Sequence, residues 1–128
     1  MHSSIFRAVL VAAVAALALS SAALAGGGGV TGKYSATIKS PAQIKGTWGV
    51  NFKKSGVYEV SLNGEIVSHG KWTATATTLT LREPTGCGGT GTYAWKKADK
   101  VLRFTRKREA AGCEARAAVL SHPFRQKG

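Results

Sequence analysis

The chain is poor in acids, cysteines, prolines and histidines: its 128 residues hold six Asp and Glu, two Cys, three Pro and three His. Six scattered acids give little material for chemistry that needs paired carboxylates. Two cysteines, with neither His69 nor His122 at zinc-like spacing from them, do not make a metal site, so no metal or cofactor is expected. Neither Asn51 nor Asn63 begins an Asn-x-Ser/Thr acceptor for N-glycosylation. A three-residue glycine period and a sustained heptad are both missing, which excludes collagen-like and coiled-coil architectures. Beyond residue 25 no apolar run approaches the ~20 residues of a membrane helix.

What is present argues for one small folded module. Hydrophobic residues make up 44% of the chain, enough apolar surface for a core. Lys and Arg number 18 against six acids, a formal charge of +12, which favours anionic partners or surfaces and says nothing about fold.

Met1 to Ala25 has the layout of an export signal. Arg7 precedes an uncharged run from Ala8 to Leu19, small residues follow, and Ala23-Leu24-Ala25 offers small side chains at the two positions a signal peptidase must accommodate. Cleavage before Gly26 is expected, giving a secreted or periplasmic chain of about 103 residues, one domain's worth, with no transmembrane segment. No Cys follows the cleavage site to carry a lipid. Residues 26–31 read as a flexible leader, 32–123 as the domain and 124–128 as a C-terminal tail.

From residue 32 the pattern has period two, with turn residues every eight to twelve positions, the signature of an all-β sandwich or barrel. Trp48, Val50 and Phe52 alternate with milder residues; Tyr58, Val60 and Leu62 do the same before Asn63-Gly64, a strong hairpin signal. A two-residue turn there predicts Val60 opposite Val67 and Tyr58 opposite His69. That places Trp72 on the wrong face unless Gly70 forms a bulge. Leu79 and Leu81 define another strand. Tyr93 and Trp95 pair with Leu102 and Phe104 across a polar loop from Lys96 to Lys100, with Trp95 facing Leu102 and Tyr93 facing Phe104. Glu114 to Leu120 is the last strand, with a short helix as the competing reading because of its alanines. A strand around Tyr34 to Ile38 brings the expectation to a small antiparallel up-and-down barrel of about eight strands.

Cys87 and Cys113 are an even pair in an exported chain and lie near one another across the open end of the Tyr93–Phe104 hairpin. A disulfide is expected, enclosing about 27 residues and contributing roughly 3 to 4 kcal/mol.

The order Gly46-Thr47-Trp48, Gly56-Val57-Tyr58, Asn63-Gly64, Gly70-Lys71-Trp72, Leu79-Thr80-Leu81, Gly91-Thr92-Tyr93-Ala94-Trp95, Leu102-Arg103-Phe104 and Cys113-x-x-Arg116 resembles small bacterial secreted lipocalin-like (calycin-type) barrels, over nearly all of the chain after the signal. The resemblance implies that Trp48 lies on the first barrel strand and that Arg116 packs over its indole as a structural pair, closing one end. The chain is short for such a protein, and the usual flanking helix is not apparent unless the last segment supplies it.

Catalytic constellations are not evident. Glu83, Asp99 and Glu109 fall at turns or exposed positions, and His69, on the face of Tyr58, reads as a structural histidine. His122 reads as exposed. Gly86 to Gly91 lacks the Lys-Ser/Thr of a phosphate loop. Lys96, Lys97, Lys100, Arg103, Arg106, Lys107 and Arg108 form the densest basic surface, without interleaved aromatics, so specific nucleic-acid binding is not expected. Two functional expectations follow. In the first, a non-catalytic protein binds a small apolar ligand among Trp48, Tyr58, Trp72, Tyr93, Trp95 and Phe104. In the second, those rings fill the barrel, which acts through its basic surface on a partner protein or an anionic envelope component.

Overall fold

The computed structural model describes residues 29–83 and 86–127. The expected signal segment and residues 26–28 of the leader lie outside that range.

Eight strands follow in chain order, β1 (Gly32–Ile38), β2 (Gly46–Phe52), β3 (Val57–Leu62), β4 (Glu65–Ala74), β5 (Thr78–Arg82), β6 (Thr90–Ala98), β7 (Val101–Arg108) and β8 (Phe124–Gln126). Each pairs antiparallel with its sequence neighbour, and β8 pairs with β1, so the sheet closes on itself as an eight-stranded barrel without edges. A single turn of 3-10 helix, Ala42–Ile44, lies between β1 and β2, and one helix, α1 (Glu114–Leu120), connects β7 to β8.

The period-two pattern does what alternation must. Tyr34, Ala36 and Ile38 of β1, Val50 and Phe52 of β2, Leu79 and Leu81 of β5, and Leu102 and Phe104 of β7 are all buried while their neighbours face out. Phe52 is the hub of the interior: its ring centroid lies 5.5 Å from Trp72, 6.1 Å from Tyr34 and 6.3 Å from both Tyr58 and Phe104. Edge and tilted contacts at such distances suit the ring quadrupole. Each tryptophan also ties down a connection, donating its indole N–H to a backbone carbonyl: Trp48 to Ile44, Trp72 to Lys53 and Trp95 to Thr75.

Two hairpins depart from the expected register. In β3–β4 the bulge sits at Val67, where pairing slips between Val60 and Ser61, three residues earlier than Gly70. Tyr58 therefore faces Gly70, Val60 faces Ser68, and His69 faces Glu59 on the outer wall, exposed, not beside Tyr58. The turn itself is as expected, with Asn63 and Gly64 at φ 51° and 89°. Gly70 serves close approach instead, since a Cβ there would come within 2.9 Å of the Tyr58 ring. In β6–β7 the turn is the two-residue Asp99-Lys100, at φ 52° and 65°, so the strands run on to Ala98 and Val101. Trp95 then faces Phe104, and Lys97 faces Leu102. A shift of two residues keeps every side chain on its expected face.

The domain limits also move. Val30, assigned to the leader, is fully buried, and residues 124–126, assigned to the tail, are the strand that closes the barrel, with Phe124 fully buried. Glu114–Leu120 is the helix and not the last strand. Its Ala117, Val119 and Leu120 are buried.

Candidate functional site

The β1–β2, β3–β4 and β5–β6 connections lie at one end of the barrel, together with α1. The disulfide between Cys87 and Cys113, with Cα atoms 5.2 Å apart, fastens the β5–β6 loop to the residue preceding α1. Behind this covering is a cavity of about 210 Å³. Its walls are Trp48, Val50 and Phe52 from β2, Tyr58 and Val60 from β3, and Leu81 from β5, with Val119 and Leu120 from α1 above. Val67, 54% exposed at the bulge, and Ala115, exposed on α1, are the parts of the lining that reach the surface. Ser68, Glu83 and Arg116 supply the polar side of the lining.

A larger depression of about 320 Å³ crosses Gly49, Asn51, Glu59 and Ser61, which point outward from β2 and β3. It is a groove on the outer wall, and the smaller cavity is the one inside the barrel.

The polar side is an ion cluster drawn from β3, β4, β6, α1 and the connections that follow β5 and β7. Arg116, in the first turn of α1, donates through Nε and Nη2 to Glu109, through Nη1 to Glu83 at 3.2 Å, and through Nη2 to the Gly89 carbonyl at 3.1 Å. Glu83 also accepts from the Tyr58 hydroxyl at 2.8 Å and from Ser68; Glu109 accepts from Tyr93 and from the Ala110 amide. All three charged side chains are buried, Arg116 at 9%, Glu83 at 8% and Glu109 at 1% exposure. Buried charge is tolerable only with such saturation by hydrogen bonds, and no buried side-chain N or O among the described residues is without a partner. Gly91 makes room for it: a Cβ there would stand 2.6–2.9 Å from Glu109 and Arg116 atoms.

Burial pushes the Glu109 carboxyl up, but the bonds from Arg116, Tyr93 and Ala110 and the guanidinium charge outweigh it and hold it below the usual carboxylate range. Burial raises the Tyr58 and Tyr93 hydroxyls well above the usual tyrosine value, reinforced by the carboxylate each one faces. Both therefore stay protonated as donors. Burial also works against the charge on Arg116, and Glu109 more than restores it.

This cluster corrects the expectation that Glu83 and Glu109 are solvated surface acids. It also replaces the expected Trp48–Arg116 stack. Both residues line the cavity, but the guanidinium is engaged by carboxylates, and the cation recorded over a ring among the described residues is Lys97, 5.4 Å from the Tyr34 centroid. A signal for Glu83 existed, because it continues the inward parity of Leu79 and Leu81. Glu109 gave none, lying beyond a second register shift, opposite Thr92 and Tyr93.

Of the six rings expected around a ligand, Trp48 and Tyr58 line the cavity. Trp72, Tyr93 and Phe104 are core, and Trp95 is half-buried at the opposite end. The basic residues lie on the β6–β7 hairpin; all but Lys97 are exposed.

The chain matches no protein-family model, no curated protein and no solved structure in the comparisons made. The architecture among the described residues is an antiparallel closed barrel of eight strands, consistent with a calycin- or lipocalin-type fold.

Proposed function

We propose that this is a non-catalytic exported protein that binds one small apolar ligand in the cavity behind α1. The observation that carries the reading is the cavity itself, predominantly apolar in its lining and bordered by the exposed Val67 and Ala115. Its size sets the scale of the occupant. Drug-sized ligands take pockets of roughly 300–1,000 Å³, whereas an apolar cavity of about 150 Å³ holds benzene. About 210 Å³ therefore suits a molecule of roughly six to ten non-hydrogen atoms. Beside the cavity the interior holds the rings packed around Phe52, among them Trp72 at 5.5 Å and Phe104 at 6.3 Å. Native mass spectrometry of protein recovered from its own host tests the proposal: a discrete small-molecule adduct lost on mild activation supports it, and the bare oxidised chain alone counts against it.

A second reading has its own observation. Lys71 faces Arg82 and Lys96 faces Arg103 directly across strands on the outer wall, and the ion pairs recorded among the described residues, Lys53–Glu59 and those of Arg116, do not reach them. Like charges directly opposite are destabilising, so an anionic envelope component or partner protein docking there would relieve repulsion. Retention on an anionic matrix that outlasts moderate salt supports a specific partner; loss with a steep salt slope indicates general charge attraction.

A further inference from the structure

The ion cluster gives the cavity a polar wall with a hydrogen-bonding bias. Arg116 carries five N–H bonds, and four are directed at Glu109, Glu83 and the Gly89 carbonyl. One guanidinium thus serves two carboxylates, and the tyrosines beside them contribute protons in hydrogen bonds but no positive charge. Two carboxylates against one guanidinium give the cluster a formal charge of −1, and of these groups Glu83 and Arg116 line the otherwise apolar chamber, within a protein whose overall charge is strongly positive.

Glu83 is the carboxylate that lines the chamber, and three hydrogen bonds, from Ser68, Tyr58 and Arg116, occupy it. A carboxylate offers about four acceptor positions, so one remains. The Ser68 hydroxyl, donating to Glu83, keeps its lone pairs as acceptors too. The polar wall is therefore rich in acceptors and nearly spent in donors. A carboxylate ligand would meet the Glu83 carboxylate with one Arg116 N–H left to receive it. An ammonium group would meet open acceptors on Ser68 and on the buried Glu83 carboxylate, where water screens little.

We infer that the cavity selects small amphiphiles whose polar end is a hydrogen-bond donor, an alkyl- or arylamine first and a neutral alcohol second, and that it rejects the corresponding carboxylates. This rests on the cavity being a ligand site, and it runs opposite to what the protein's overall charge would favour.

The test is a calorimetric or tryptophan-fluorescence titration of the intact, oxidised protein with benzylamine, benzyl alcohol and benzoate, at about 0.15 M salt, where the Debye length is about 8 Å. The expected order is amine, alcohol, carboxylate, with amine and carboxylate at least about tenfold apart, or about 1.4 kcal/mol. Glu83→Gln, which removes the negative charge facing the chamber, brings the amine-to-alcohol ratio toward one. Benzoate binding as tightly as benzylamine overturns the selection while leaving the cavity a ligand site. Failure of all three, the neutral alcohol included, overturns both.

Discussion

Arg116 Nε and Nη2 reach the two oxygens of Glu109 at 3.0 and 2.5 Å, so the helix over the barrel mouth is clamped to the end of β7 by a bidentate ion pair. The same guanidinium holds Glu83 at the end of β5. One side chain thereby ties the covering of the cavity to two strands of its wall.

Arg116→Leu leaves two carboxylates buried without their cation. The expected loss is about 3–5 kcal/mol of folding stability, the range for breaking a buried pair from one side. Urea unfolding followed by tryptophan fluorescence measures it. Adding Glu109→Gln should cost less than the sum of the single changes, by a coupling of about 0.5–3 kcal/mol; additive losses would mean that the two side chains do not act as a unit.

Stability should fall at both extremes of pH, from opposite signs of shift. The folded Glu109 carboxyl lies below its ordinary value of 4.5, so its contribution is complete above that value and is lost as pH falls through the folded one. Glu109→Gln should flatten this acid limb. Tyr58 and Tyr93 are raised above 10.0, so their contribution is complete below pH 10 and is lost as pH rises past it. Ultraviolet tyrosinate absorbance should show both hydroxyls ionising together with unfolding.

The fold was more legible than this cluster, for a physical reason. Alternation at Trp48–Val50–Phe52 or Leu79–Leu81 records an energy of burial repeated at every second residue, so the faces survive a register error of two. A bulge is a single local slip. Val67 and Gly70 both precede Trp72, and alternation alone does not say which one absorbs the slip. The ion cluster depends on Glu83, Glu109 and Arg116 meeting after all of the slips are summed. An acid beside a turn looks solvated until the residue that covers it is placed. The closing strand was missed because three residues after a proline carry too little pattern to register.

Phe124 tests that strand. A chain ending at Pro123 lacks the partner of both β1 and β7 and should fail to fold cooperatively. Phe124→Ala, in the full-length chain, removes a fully buried ring and should cost about 3–5 kcal/mol. A fold unaffected by the truncation would return those residues to the status of a tail.

Replacing Cys87 and Cys113 together by serine should destabilise the barrel by roughly 3–4 kcal/mol, from the loop closure lost over the 26-residue separation. Because the bridge fastens α1 to the loop beside it, affinity for a small apolar probe should fall further than the population of unfolded chain explains. Hydrogen exchange of the α1 amides checks this, with faster exchange expected in the variant than in the oxidised protein.

The most direct measurement is an amide and indole chemical-shift titration of the oxidised protein with toluene. The cavity account predicts saturable shifts at Trp48, Val60, Val119 and Leu120, with those at Trp95 and the β6–β7 turn unchanged, and predicts that Val60→Trp, which fills the chamber, abolishes them. Shifts that never saturate, that scatter over the outer wall, or that persist when the chamber is filled would contradict it.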